Sequence, residues 1–112
     1  MTERLLLDDA QYALLRSLRD CRGPTGRAPK RRLLQHARET YGLTAERAMR
    51  ALSDLHREKL VRLDLAQRVF LASGVTLLEA GDPGAPHSMR GDDGMVWLVL
   101  PAPSPADAPA EI

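Results

Sequence analysis

The sequence predicts an α+β chain: three short amphipathic helices, then a β hairpin, then one extra strand near the C-terminus. Three observations lead there. Leucine and alanine recur at helical spacing in three separate stretches before residue 60. Each stretch is bounded by residues that start or stop helices. After residue 60 the apolar residues fall into short β-prone runs, Leu60-Val61-Arg62-Leu63, Val69-Phe70-Leu71 and Met95-Val96-Trp97-Leu98-Val99-Leu100.

The first helix opens at Asp8. Asp8 as N-cap and Gln11 three residues on form a capping box, and Leu7 is placed to staple onto Tyr12. Leu14, Leu15, Leu18 and Cys21 form its apolar stripe, and Gly23-Pro24 ends it. Gly23 to Pro29 is a loop by its glycine and proline content. The second helix runs from Pro29, suited to a first turn, to Tyr41. It buries Leu33, Leu34, Ala37 and Tyr41, and Gly42 caps its C-terminus. Only Leu43 separates that glycine from Thr44, the N-cap of the third helix. Two helices joined so tightly cross steeply, which is a helix-turn-helix arrangement. Ala48, Leu52 and Leu55 line the buried face of the third helix, and the chain then passes at once into Leu60-Val61.

Gln67 and Arg68 stand near the tip of the predicted hairpin. Thr76 to Ala80, ending at Gly81, is expected as a short helix; the alternative is a two-residue Ser73-Gly74 hairpin turn. The expected layout is one domain over 1–80, a flexible loop over 81–94, a strand over 95–100 and a disordered proline- and alanine-rich tail over 101–112.

Length and composition bound the function. At 112 residues, with 44% apolar and 28% charged residues, the chain has room for one modest core. No apolar run approaches the span of a bilayer and no secretory signal pattern opens the chain, so a cytoplasmic location is expected. One cysteine, Cys21, excludes an internal disulfide. His36, His56 and His87 have no ligand-spaced companions, so no metal site is expected. No phosphate loop, nucleophile elbow or Cys–His pairing is present. No enzyme activity and no cofactor are expected.

The net charge of +1 conceals an asymmetry. Residues 1–72 hold fifteen basic residues against nine acids, and residues 73–112 hold one against six. A basic front half suggests a polyanion partner. The second helix opens on Lys30, Arg31 and Arg32, with Arg27 before and Arg38 after. Positive charge at a helix N-terminus opposes the helix dipole, so these residues gain nothing locally and suit phosphate contact. No aromatic platform is visible among the basic residues, which argues against single-stranded nucleic acid.

The run Ala51-Leu52-x-x-Leu55-x-x-x-x-Leu60-Val61-x-Leu63, with the preceding turn Tyr41-Gly42-Leu43-Thr44, resembles bacterial winged helix-turn-helix domains such as those of MarR-like and PadR-like regulators. The resemblance covers residues 8–80. It departs from the pattern at Lys59, where glycine is common between the third helix and the first wing strand. It implies that the third helix enters the major groove of double-stranded DNA and that the hairpin wing touches backbone or minor groove. On that basis Thr44, Ala45, Glu46, Arg47 and Arg50 are groove candidates, and Gln67 and Arg68 are wing candidates. Arginine suits the role because it donates two bonds to one guanine; Glu46 can accept from cytosine or pair with Arg50 four residues on. The implied function is a small bacterial transcriptional regulator acting as a homodimer, with Trp97 and Val99 as expected interface residues and no effector identifiable. The alternative is a winged-helix protein-interaction module or adaptor, including one encoded by a phage or mobile element.

Overall fold

The computed structural model describes residues 3–79 and 88–100. It is a mixed α+β fold of three helices and two small sheets. In chain order the elements are β1 (Glu3–Arg4), α1 (Asp9–Cys21), β2 (Ala28–Pro29), α2 (Lys30–Tyr41), α3 (Ala45–Arg57), β3 (Val61–Leu63), β4 (Arg68–Leu71), β5 (Val75–Glu79), β6 (Met89–Arg90) and β7 (Val96–Leu100).

The helices begin and end where their side chains satisfy the open backbone groups. At α1 the Asp8 carboxylate accepts from the Gln11 N–H (2.8 Å), while the Gln11 side chain accepts from the Asp8 N–H (2.8 Å). Gly42 takes a left-handed conformation (φ 68°) after α2, and the N–H groups of Gly42 and Leu43 close onto the carbonyls of Arg38 and Ala37. Thr44 then accepts from the Arg47 N–H at 3.2 Å, opening α3. At the far end of α3, Lys59 sits at φ 63°. The Lys59 N–H reaches the His56 carbonyl (3.0 Å) and the Leu60 N–H reaches the Leu55 carbonyl (2.9 Å), completing a Schellman motif.

The first sheet has the order β2-β4-β3, all antiparallel, with Val61 opposite Leu71, Leu63 opposite Val69, and Ala28 also opposite Val69. The expected hairpin is present, its turn lying between Leu63 and Arg68. Alternation sends Val61 and Val69 into the core and leaves Arg62 and Arg68 outside.

The second sheet has the order β1-β6-β7-β5, with β5 parallel to β7. Here the expectations need correction. Thr76 to Glu79 is part of a strand, not a helix, and Ser73-Gly74 does not join a hairpin, because β4 and β5 belong to different sheets. Gly74 (φ 82°) turns the chain, and Val75 and Leu77 pack on the core while Thr76 and Leu78 face away. A period of two thus replaces the helical one, because β7 supplies a ladder from Val75–Val96 to Glu79–Leu100. Within the expected 81–94 loop, Met89–Arg90 form a strand that bridges β1 and β7. Residues 81–87 and the 101–112 tail lie outside the described residues. The 95–100 strand is present as β7.

Val96, Leu98 and Leu100 join Leu14, Leu15, Leu18, Leu33, Leu55, Leu60 and Val69 in one core. Helices and both sheets therefore share a single apolar interior.

Candidate nucleic-acid interface

The exposed side of α3 carries Ala45, Glu46, Arg47, Met49, Arg50, Ser53 and Arg57, because Ala48, Ala51, Leu52 and Leu55 take the buried face. Arg50 lies 3.5 Å from Glu46, and Arg57 lies 3.7 Å from Asp54. Arg47 is exposed and has no ion-pair partner among the described residues. Thr44 spends its hydroxyl on the helix cap. Arg47 and Arg50 line a shallow depression with Asp8, Ala10, Ala51 and Asp54, so the start of α1 borders this cluster.

A second basic cluster forms where α2 begins. The Lys30 N–H donates to the Gln67 carbonyl (2.9 Å), and Pro29 stands opposite Arg68 in the sheet. These contacts hold the start of α2, with Lys30 and Arg31, against the hairpin tip that bears Gln67 and Arg68. Arg31 is exposed and, like Arg38, has no ion-pair partner among the described residues.

Arg32 departs from this cluster. Successive helical residues point about 100° apart; Arg32 is exposed directly after Arg31, and its charge lies near enough to the Cys21 thiol at the end of α1 to act on it. Burial pushes that thiol up from its ordinary pKa, with Arg32 acting against the shift. At neutral pH the raised pKa keeps Cys21 in the less reactive thiol form. Close by, the Tyr41 hydroxyl donates to Asp20 (2.8 Å), tying α2 to α1; burial and that bond raise the tyrosine pKa.

Asp64 organises the hairpin tip. Its carboxylate accepts from the N–H groups of Ala66 (2.9 Å) and Arg68 (3.0 Å), from Arg68 Nε (2.9 Å) and from the Arg27 guanidinium (2.8 Å). The Arg68 backbone bond leads, with the Arg27 bond adding to it, and the carboxyl is held down at about 2. Arg68 is consequently braced along the turn rather than extended from it.

The outer face of the β2-β4-β3 sheet carries two residues that the linear sequence does not single out, Arg62 and Phe70. Arg27 stacks over Phe70 with its guanidinium carbon 4.3 Å from the ring centroid. Arg62 is exposed and pairs directly with Phe70 across the strands. Period-two alternation around Val61, Leu63, Val69 and Leu71 was the signal that places Arg62, Arg68 and Phe70 together.

The proposed site residues thus fall into two clusters: Thr44, Ala45, Glu46, Arg47 and Arg50 at the start of α3, and Lys30, Arg31, Gln67 and Arg68 where α2 meets the hairpin. The twelve residues of α2, a helix roughly 18 Å long at the α-helical rise, connect the two.

The two expected dimer contacts occupy different settings. Val99 is buried by its own chain, and its N–H donates to Ser88 Oγ at 3.0 Å. Its burial removes the side chain from any external contact in this conformation. Trp97 is half-buried, with its ring lying over Gly91.

Among the described residues no group of three or more His, Cys, Asp and Glu is placed to hold a metal ion, and no helix is long and apolar enough to cross a membrane. No family model, curated protein or solved structure matches the chain.

Proposed function

We propose that this chain is a winged helix-turn-helix protein that binds double-stranded DNA, serving as a small transcriptional regulator. The observation that carries the reading is the pair of arginine-bearing clusters at opposite ends of α2. The α2 helix that connects them is roughly 18 Å long, close to half of the 34–36 Å helical repeat of DNA. With the start of α3 in a major groove, the α2–hairpin junction falls near the next stretch of backbone or minor groove. Arg47 and Arg50 are the base-edge readers in this reading; Lys30, Arg31 and Arg68 are the phosphate contacts. The element order α1-β2-α2-α3-β3-β4, with β3 and β4 as the wing, supports it as well. One such domain covers a short footprint, so two copies are expected on an operator.

The test is binding to duplex DNA across a salt series. Affinity is expected to fall steeply as salt rises. Lys30→Ala combined with Arg31→Ala removes two phosphate contacts without breaking an ion pair, and lowers the magnitude of the log–log salt slope by about 2. Failure to bind duplex at low salt, or binding indifferent to salt, overturns the reading.

A protein-contact role is the second reading. It is favoured by Glu46 and Asp54, which pair with Arg50 and Arg57 and offset their charge on α3, and by the exposure of Leu78 and Met95 on or beside the second sheet.

A further inference from the structure

We propose that Leu65 is a wedge that enters the minor groove of duplex DNA and levers open a base step, a role that rests on the DNA-binding reading above. Leu65 is fully exposed, at 103% relative accessibility. A lone exposed leucine is ordinary on a protein surface. Two features set this one apart.

The first is the rigidity of its mount. Leu65 follows Asp64 in the turn between β3 and β4. The Gln67 N–H closes that turn onto the Asp64 carbonyl (3.0 Å), and the Asp64 N–H donates to the Arg68 carbonyl (3.1 Å). The Asp64 carboxylate meanwhile gathers Ala66, Arg68 and Arg27. Ordering this tip on binding therefore costs little, because the turn is already fixed. The second feature is charge. Arg27 and Arg68 share the single carboxylate of Asp64, and Lys30 and Arg31 stand beside the tip through the Lys30–Gln67 backbone bond. An aliphatic tip surrounded by net positive charge is complementary to an anionic groove with apolar base faces inside it. Proteins that kink DNA from the minor groove combine leucine-type wedges with flanking cations in this way.

Because the wedge must unstack a step, its binding follows the ease of unstacking. Steps that part readily are favoured even where no base edge is read.

The experiment compares two short duplexes that differ only in a central mismatch, using fluorescence anisotropy with the full chain. The wild-type chain is expected to prefer the mismatched duplex by about fivefold, since unstacking costs least there. Leu65→Ala is expected to bring the ratio to about one while leaving the salt slope unchanged, because no phosphate contact is lost. Its thermal melt should match wild type, since the side chain buries nothing. Leu65→Met should retain the preference. An equal ratio for wild type and Leu65→Ala overturns the wedge. Duplex binding without any mismatch preference in the wild type also overturns it, leaving the DNA reading intact. Absence of duplex binding overturns both. Binding to phosphatidylglycerol vesicles that Leu65→Ala abolishes, with the duplex ratio unaffected, assigns the leucine to a lipid surface and overturns the wedge.

Discussion

Lys59 holds a backbone conformation that a lysine adopts at a cost. At φ 63° its Cβ crowds the following carbonyl, a strain of about 1–2 kcal/mol for an L-residue. The Schellman bonds and the burial of Leu60 immediately afterward keep it there. Lys59→Gly relieves the strain but loosens the unfolded chain, which returns roughly half of the gain. The net expectation is a stabilisation of up to about 1 kcal/mol, read as a higher urea midpoint with an unchanged slope. A fall in the midpoint would show that the lysine side chain contributes more than its backbone costs. Asp64 allows a test by pH. Its folded pKa of about 2 lies below the ordinary aspartate value. Its contribution is therefore complete above about pH 4 and is lost as pH falls through 2. Acid titration of the urea midpoint should show a decline in that window, and Asp64→Asn, which removes the charge, should flatten that part of the curve. An identical acid limb in the variant would count against the tip clamp.

At the scale of elements, local chemistry made the helices legible and distant pairing hid the second sheet. The Asp8–Gln11 box, Gly42 and Thr44 act within a turn of where they stand, so spacing alone locates them. The run Val75 to Glu79 is too short to separate a period of two from one of 3.6. Its identity is decided by β7, which comes some twenty residues later. The same holds for the candidate site. Lys30 and Gln67 are far apart in sequence, and only the β2–β4 pairing joins them, while Arg31 and Arg32 are neighbours that point to different surroundings. The β6–β7 pair offers a direct check. A Cβ on Gly91 would lie 3.0 Å from Trp97 Cζ3 and 3.2 Å from Cη2. Gly91→Ala must displace the ring, at an expected cost of about 1–2 kcal/mol, and should shift the fluorescence of the single tryptophan to the red. An unaltered emission spectrum would mean that the ring does not rest on that glycine.

For the whole molecule, the division into a 1–80 domain and a separate later strand meets a common core. Leu98 and Leu100 are almost fully buried, and together with Val96 they belong to the cluster formed by the helices. Each buried aliphatic side chain stabilises by about 1.5–3 kcal/mol, so the three contribute roughly 5–9 kcal/mol. That is comparable with the entire stability of a small domain, about 5–15 kcal/mol. The termini of the fold are also interlocked: β1 pairs with β6, and Arg90 reaches the Glu58 carbonyl at the end of α3 (3.4 Å). A fragment of residues 1–80 would retain all three helices and the hairpin, yet lose β6 and β7 and expose the core surface they cover. Its helices are expected to remain in part, since their caps are local, while cooperative unfolding disappears. Circular dichroism should then show a shallow, non-sigmoidal melt for the fragment and a single sharp transition for the full chain. A sharp transition in the fragment would show that the helices and hairpin form a self-sufficient unit and that the second sheet is an addition to it.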